Sequence, residues 1–316
     1  FGRWGNLKIV LVALFGGLAG QAVVWYTGQF YALFFLERVL KVDGGAANIM
    51  VAMALIIGAP FFVFFGWLSD KIGRKPVVLT GCLLAALTYF PLFEALTQYA
   101  NPALYRAQNS APVSVLADPS DCSFQFDPVG RNKFDAHSCD IAKAFLTRAG
   151  VSYENMPAPA GAVAKIHICA RIFTAPDPNR LAGPARSDAI KAFQTQVSAA
   201  LNDVGYPATA DAAAINKPMV IGILALLIIY TTMAYGPMAA LLVELFPTKI
   251  RYTSLSLPYH LGNGWFGGFL PTTAFAIVAA SGHIYSGLWY PVLIASATFV
   301  IGILLLPETR NRDIDA

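Results

Sequence analysis

Long apolar segments alternate along the chain with short polar segments. The longest of five apolar runs, 252–307, would make a helix of roughly 80 Å at ~1.5 Å per residue. This is too long for one membrane crossing, so we expect the run to turn back at the polar segment 281–287. The four other runs are near or above the ~20 residues that cross a ~30 Å hydrocarbon core; they contain no Asp, Glu, Lys or Arg and cover 9–36, 44–69, 76–93 and 218–243. The pattern predicts six membrane-spanning helices, at about 8–36, 45–68, 76–96, 218–242, 254–280 and 287–307.

The composition agrees with a chain that has lipid as part of its solvent. It is 56% hydrophobic and 13% charged, with a mean hydropathy of +0.56, well outside the range of soluble domains. The 22 basic residues are scattered and form no basic stripe, so no nucleic-acid partner is expected. The first apolar run is too long for a signal peptide. The chain starts at Phe1, which leads us to expect a missing upstream part.

The segment 97–217 separates a first unit, 1–96, from a last unit, 218–316, and differs from both. It is rich in Pro, Ala, Asp and Asn and has no run long enough to span a membrane. We therefore predict a soluble insertion with a small α+β fold. Inside it, 138–149 and 187–204 have helix start and stop signals, the second with Ser187 as N-cap, and 164–173 alternates like a strand.

Three cysteines of the insertion bear on its stability. An oxidising exterior favours a disulfide between Cys122 and Cys139, which would contribute roughly 3 kcal/mol. Pairings with Cys169 stay open, because three cysteines allow three bridges. His137 and His167 supply no recognisable ligand set, so we expect no metal and no cofactor.

The basic residues of the short loops indicate the orientation. Only Arg38 and Lys41 lie in short loops on the side opposite the termini. The terminal side has nine, namely Arg3, Lys8, Lys71, Arg74, Lys75, Lys249, Arg251, Arg310 and Arg312. Since cytoplasmic loops carry an excess of Lys and Arg, we expect cytoplasmic termini, an external or periplasmic insertion and a multi-pass protein of the inner cell membrane.

A glycine-containing, charged motif joins the second and third predicted spans. Gly66 would let two helices approach closely, Gly73 would allow a tight turn, and Asp70 would face a neighbouring helix N-terminus. The motif has the form G-x-x-x-D-K-x-G-R-K and places Gly66, Asp70, Lys71, Gly73, Arg74 and Lys75. It resembles the loop signature of the major facilitator superfamily. The alternative is that its basic residues merely follow the positive-inside rule.

Two further motifs extend the resemblance. The segment 244–251, E-x-x-P-T-x-x-R, and the segment 307–309, P-E-T, are similar to motifs of the sugar porters and the metabolite:proton symporters. In those families P-E-T follows the last span, so this chain resembles a C-terminal half. The resemblance implies a cytoplasmic ion-pair cluster, in which each exposed pair would contribute ~0.5 kcal/mol; its members are Arg74, Glu244, Arg251 and Glu308.

Polar side chains within the spans are candidates for a substrate cavity. The segment 24–31 is similar to the cavity-lining helix of the metabolite:proton symporters. Amides facing lipid would cost several kcal/mol, so they should face protein or water, and helix-to-helix hydrogen bonding is the open alternative. The candidates are Gln21, Trp25 and Gln29, spaced i, i+4, i+8, together with Tyr230, Tyr235, His260 and Asn263. His260 would join proton coupling or form a local hydrogen bond.

The resemblance implies an all-α membrane protein, a six-helix half of a major facilitator fold carrying the small α+β insertion. Its function would be secondary active transport of a small organic acid or zwitterionic metabolite with protons, in which a missing N-terminal six-helix half takes part. A sugar porter is the nearest alternative, and a membrane-anchored external ligand sensor is one of another class. We expect no enzyme, since no G-x-S-x-G or H-E-x-x-H spacing occurs.

Overall fold

The computed structural model describes residues 4–181 and 183–312. Arg3 and the side chain of Lys249, both counted above for the orientation, lie outside this description. Six long helices carry most of the chain: α1 (Trp4–Val39), α2 (Gly44–Ile72), α3 (Arg74–Ala100), α7 (Lys217–Leu245), α8 (Arg251–Ser281) and α9 (Ser286–Leu305). Between α3 and α7 lie α4 (Pro102–Ser110), β1 (Val113–Ala117), α5 (Ser138–Ala149), β2 (Glu154–Pro157), β3 (Lys165–Ile168), β4 (Arg171–Thr174) and α6 (Gly183–Asp203).

All six long helices are long and apolar enough to cross a membrane. Their surfaces expose large apolar side chains that water would not tolerate in such number. On α2, for instance, Ile49, Ile56 and Val63 follow each other at seven-residue spacing and are 63%, 73% and 77% exposed. The chain is a multi-pass membrane protein, and the predicted all-α architecture with a small α+β insertion is confirmed.

The helices extend beyond most of the predicted spans. α1 runs on through Glu37 and Arg38, because charged side chains at a helix end reach the interface while their backbone stays helical. α9 behaves in the opposite way and ends at Leu305, before the predicted residue 307. Leu306 is extended (φ −76°, ψ 121°), as expected of a residue that precedes a proline.

Several of the spanning helices are interrupted. α1 contains π-helical turns at Leu14–Leu18, Thr27–Tyr31 and Phe35–Val39, and α8 contains one at Gly262–Gly267. α7 is broken between Tyr235 and Met238 by a Gly-Pro pair. Such irregularities are frequent at functional sites, and two candidate cavity residues, Gln29 and Asn263, lie in these π turns.

The core of the bundle lies where α1 crosses α3 and α7. Tyr31, Phe35 and Phe93 are fully buried there, with ring centroids 5.1–6.1 Å apart. Gly28 of α1 lies directly against α7: a Cβ at this position would be 3.1 Å from the main-chain oxygen of Leu227. The missing side chain therefore sets the close packing between α1 and α7.

The insertion folds around one four-stranded sheet in the order β2-β1-β3-β4. β1 and β2 are parallel and are connected through α5, while the β1–β3 and β3–β4 pairs are antiparallel. Ile166 and Ile168 are fully buried in its core, as their alternation indicates. The single strand expected at 164–173 is instead a hairpin, since Cys169 adopts a left-handed φ of 51° and turns the chain.

The helices of the insertion agree with the sequence in one case and differ in two. α5 has the predicted bounds and ends at Gly150. α6 starts at Gly183, one turn before Ser187, so Ser187 is not its N-cap. α4 was not predicted, although Asn101 caps it by accepting a hydrogen bond from the Leu104 amide (3.0 Å) and Pro102 occupies its first position.

The insertion is hydrogen-bonded to the ends of α1 and α8. The Tyr153 amide donates to the Gly282 carbonyl (2.7 Å), and its hydroxyl donates to the Ala279 carbonyl (2.5 Å). The Ala210 amide donates to the Lys41 carbonyl (2.9 Å) at the end of α1. Since these helix ends offer carbonyls that need partners, the insertion completes them and is fixed to the bundle.

Candidate functional site

The turn between α2 and α3 places the charged motif. Gly73 adopts a φ of 112° and links the two helices without a further connecting residue. A Cβ at this position would overlap the carboxylate of Glu308. The tight turn predicted for Gly73 is thus present, and the absent side chain also makes room for the segment that follows α9.

Glu308 lies at the N-terminus of α3. Its Oε1 accepts from the amides of Arg74 (2.9 Å), Thr309 (3.0 Å) and Arg310 (3.1 Å), and its Oε2 accepts from the amide of Lys75 (3.1 Å). Burial raises the pKa of this carboxyl group, but the four amide donors outweigh it, so the pKa is lowered. We expected Asp70 to face a helix N-terminus; Glu308 occupies that place.

Arg74 and Glu244 form a largely buried ion pair between α3 and α7. Nη2 of Arg74 lies 3.0 Å from Oε1 of Glu244, and the two side chains are only 11% and 8% exposed. The Ser69 hydroxyl accepts from Nη1 of Arg74 (3.1 Å), and the Thr309 hydroxyl donates to Oε2 of Glu244 (2.6 Å). The value of ~0.5 kcal/mol holds for exposed pairs and does not apply to this one, because removing one partner of a buried pair costs about 3–5 kcal/mol.

The other charged members of the motif lie at the surface of this cluster. Asp70 pairs with Arg74 but keeps 61% of its side chain exposed. Lys71 is exposed, and its carbonyl accepts from the guanidinium of Arg310. The ammonium group of Lys75 donates to the Ile303 carbonyl of α9 (2.8 Å).

Two further residues of the motifs, Arg251 and Gly66, both lie next to α7 or the residue that follows it. Nε of Arg251 donates to the Phe246 carbonyl (3.0 Å), which ties the start of α8 to the end of the preceding helix. A Cβ at Gly66 would meet no atom within 4 Å in the described part of the chain. The main chain of Gly66 nevertheless lies close to α7, since a Cβ at Gly236 would be 3.7 Å from the Gly66 nitrogen.

The three candidates on α1 do not share one environment. Gln21 is fully buried, and among the described residues neither of its amide atoms has a hydrogen-bond partner. Trp25 is half-buried and packs on Tyr235 with ring centroids 4.4 Å apart, and Gln29 is also half-buried. Two steps of four residues rotate a helix position by about 80°, so Gln21 and Gln29 face different neighbours.

The candidates on α7 and α8 divide in the same way. Tyr230 is buried, with its hydroxyl 3.2 Å from that of Thr88. Tyr235 is half-buried, and its hydroxyl lies 3.4 Å from the hydroxyl of Tyr259. Nδ2 of Asn263 donates to the Tyr259 carbonyl (3.0 Å). Trp25 therefore contacts Tyr235, and Tyr235 is connected to Asn263 through Tyr259.

His260 is exposed and lies in an apolar surface groove together with Leu257 and Trp265. It has no part in the packed interior of the bundle.

Thr309 belongs to the site although the sequence does not single it out beyond its place as third residue of the P-E-T motif. It is fully buried, and its hydroxyl donates a hydrogen bond to Glu244.

The insertion contains one disulfide among its described residues, between Cys122 and Cys139, with Cα atoms 5.2 Å apart. Cys169 is free and exposed, and Cys82 is free and buried in α3. No group of three or more His, Cys, Asp and Glu side chains that could hold a metal occurs within 4–181 and 183–312.

Comparisons with known proteins agree with the motifs. Residues 195–316 match the family model described as sugar (and other) transporter. A candidate metabolite transport protein of Haemophilus influenzae is 39% identical over 82 residues, which are 26% of this chain and 18% of that protein. The matched part is thus less than a fifth of the relative's length. No solved structure matches the chain. With six apolar helices and the loop motif in place, these similarities support a transporter that resembles the major facilitator superfamily.

Proposed function

We propose that this chain is the second six-helix half of a proton-coupled secondary transporter, which carries small organic acids or zwitterionic metabolites across the inner membrane by alternating access. The observation that carries the proposal is the buried Arg74–Glu244 pair with Glu308 at the N-terminus of α3. An anchor or a sensor would have no need for such a cluster at the ends of its helices.

The cluster would hold the helices of this half together at one end, so that the half moves as a rigid body. Arg74 and Glu244 connect α3 to α7, and Glu308 and Thr309 connect both to the segment after α9. In alternating access two such halves rock around a site near the membrane midplane. Asp70 stays exposed beside Arg74, and we assign it the contact with the missing half that closes the cytoplasmic side.

The substrate path would pass the half-buried polar groups of α1, α7 and α8. Trp25 and Tyr235 supply aromatic faces next to the Gly-Pro break of α7. Gln29 and Asn263 lie in π-helical turns, whose irregular backbone frees hydrogen-bonding groups. The carboxylates that bind protons are expected in the missing half.

Two observations bear on the alternatives. P-E-T is followed by Arg310 and Asn311 rather than by glycine, which favours the metabolite symporters over the sugar porters. A ligand sensor on a passive anchor would need no exposed acidic group next to a buried arginine. The cytoplasmic position of the termini and the external position of the insertion belong to the same proposal.

Uptake measurements test the function. Full-length carrier in proteoliposomes should accumulate labelled dicarboxylates, shikimate-like acids or betaines when an inward proton gradient is imposed. Asp70→Asn should lower turnover more than folding yield, and Gln29→Ala should change substrate affinity. Uptake that ignores the gradient would remove the symport claim.

A further inference from the structure

A cavity of about 760 Å³ lies where the insertion meets the membrane helices. Its walls come from the end of α1, the C-terminal part of α8, the last turns of α5 and the insertion loop 125–134. None of the candidate residues for the transport path lies in these walls. The size is in the range of pockets that enclose small molecules.

The acidic groups of the cavity lining form no ion pair with its basic groups among the described residues. Asp127 accepts from the amides of Gly130 (2.8 Å) and Asn132 (2.7 Å) and so shapes its own loop. Glu37 accepts from Nδ2 of Asn48 (3.0 Å) on α2. Both acidic groups of the lining are therefore engaged in holding the walls.

The three basic side chains of the cavity lining differ in the hydrogen bonds that they donate. The ammonium group of Lys41 donates to the Arg148 carbonyl, and Nη2 of Arg148 lies 3.5 Å from the Lys133 carbonyl. Arg38, in contrast, donates no hydrogen bond to any described residue. Its guanidinium carbon lies 5.0 Å from the ring centre of Phe34 and 5.8 Å from that of Phe275. Two aromatic faces thus orient a cation whose five N–H donors are unused.

The loop that closes the cavity is fixed at both ends. The Cys122–Cys139 disulfide joins the start of this loop to α5. Within the loop Phe134 lines the cavity and adopts a left-handed φ of 49°, a conformation that bulky residues rarely take outside functional sites. The wall is therefore pre-formed, which lowers the entropy that a ligand would lose on binding.

We propose that this cavity binds a small aromatic carboxylate, with the carboxylate on the Arg38 guanidinium and the ring between Phe134 and Phe275. Guanidinium and carboxylate match as a bidentate pair, and aromatic rings pack favourably on phenylalanine faces. The site lies between the insertion and the helices α1 and α8, apart from the path described above, and does not rest on the proposed transport function.

Equilibrium binding of radiolabelled benzoate to the purified full chain in detergent tests the proposal. We expect one saturable site per chain at neutral pH and low salt. Arg38→Gln should weaken binding at least about tenfold, since a charge-assisted hydrogen-bond pair is lost. Arg106→Gln is the matched control, because Arg106 is an exposed arginine on α4 of the same insertion and lies outside the cavity lining; it should leave binding unchanged.

A competition on the unmodified chain makes the test independent of folding of the variant. Benzamide has the shape of benzoate without its charge, and it should compete at least about tenfold more weakly. Equal competition by benzamide, equal binding by Arg38→Gln, or no saturable benzoate binding would each overturn the proposal. Transport that fails while benzoate still binds would count against the proposed function alone.

Discussion

Gly73 and Glu308 lie against each other at the turn between α2 and α3. Gly73 needs its φ of 112° to join the helices end to end, and its missing side chain leaves space for Glu308. The carboxylate fills this space and accepts four amide hydrogen bonds. Each residue therefore depends on the other, and each gives a test.

Gly73→Ala should destabilise the chain by about 1–3 kcal/mol, the usual cost of a strained φ, with further loss from the overlap with Glu308. Gly66→Ala is the matched control in the last two turns of α2, where a Cβ meets nothing within 4 Å in the described part of the chain. Alanine should there be neutral or up to about 1 kcal/mol stabilising. Thermal unfolding in detergent compares the two, and equal effects would contradict this account.

Glu308 should make stability depend on acid pH. Its pKa lies below the ordinary value of 4.5, because the amide donors favour the charged form over the opposing effect of burial. A lowered folded-state pKa gives a contribution that is fully present above the unfolded value and is lost as the pH falls through the folded pKa. The loss should therefore occur below pH 4.5. Glu308→Gln should start from a lower stability at neutral pH and lose less on acidification; parallel curves would refute the assignment.

The helices α3 and α7 are joined by packing and by the buried ion pair of Arg74 and Glu244. Glu244 sits at the end of α7 and Arg74 at the start of α3, so the pair closes one end of the contact between these helices. Ser69 and Thr309 add a hydrogen bond to each partner. Removing Glu244 leaves Arg74 with only the largely exposed Asp70 as a charged partner.

Glu244→Gln should lower the free energy of unfolding by about 2–3 kcal/mol, because Arg74 then keeps only the exposed Asp70 as a charged partner. Glu154→Gln, a change of the same size on the exposed strand β2, should alter it by less than about 0.5 kcal/mol. Chemical unfolding in detergent measures both. A loss of less than about 1 kcal/mol for Glu244→Gln would show that the pair is effectively solvated.

The sequence predicts these elements unevenly, for physical reasons. The spanning helices follow from charge-free runs, because lipid excludes unpaired charges whatever the tertiary contacts are. The β3–β4 hairpin does not follow, since only the left-handed turn at Cys169 separates it from one alternating strand. The residues of the candidate site are likewise predictable from the sequence only in part. Motif spacing points to Arg74 and Glu244, but the burial of Gln21 depends on helix rotation and packing that no local pattern records.

In the described part of the chain, a folded domain is attached to one end of the membrane bundle. Its hydrogen bonds to Leu40, Lys41 and Gly282 are with the ends of helices remote from the Arg74 cluster. If the bundle crosses the membrane, the insertion and the motif Asp70 to Lys75 lie on opposite sides. The free cysteine Cys169 on the insertion offers a direct probe of this arrangement.

A membrane-impermeant maleimide applied to intact cells should label Cys169, because this thiol is exposed on the insertion. Cys82 is buried in α3 and should not react. In a Cys169→Ser background, Lys71→Cys should be labelled only after the membrane is permeabilised. Labelling of position 71 from outside intact cells would reverse the orientation and end the cytoplasmic account of the cluster.

The firm attachment of the insertion has a consequence for imaging. Small carriers usually have little ordered mass outside the micelle, which makes single particles hard to align by electron cryo-microscopy. Here the hydrogen bonds from Tyr153 and Ala210 to the helix ends fix the domain to the bundle. Residues 101–216 should therefore serve as a built-in fiducial mark that reports the tilt of this bundle in each particle.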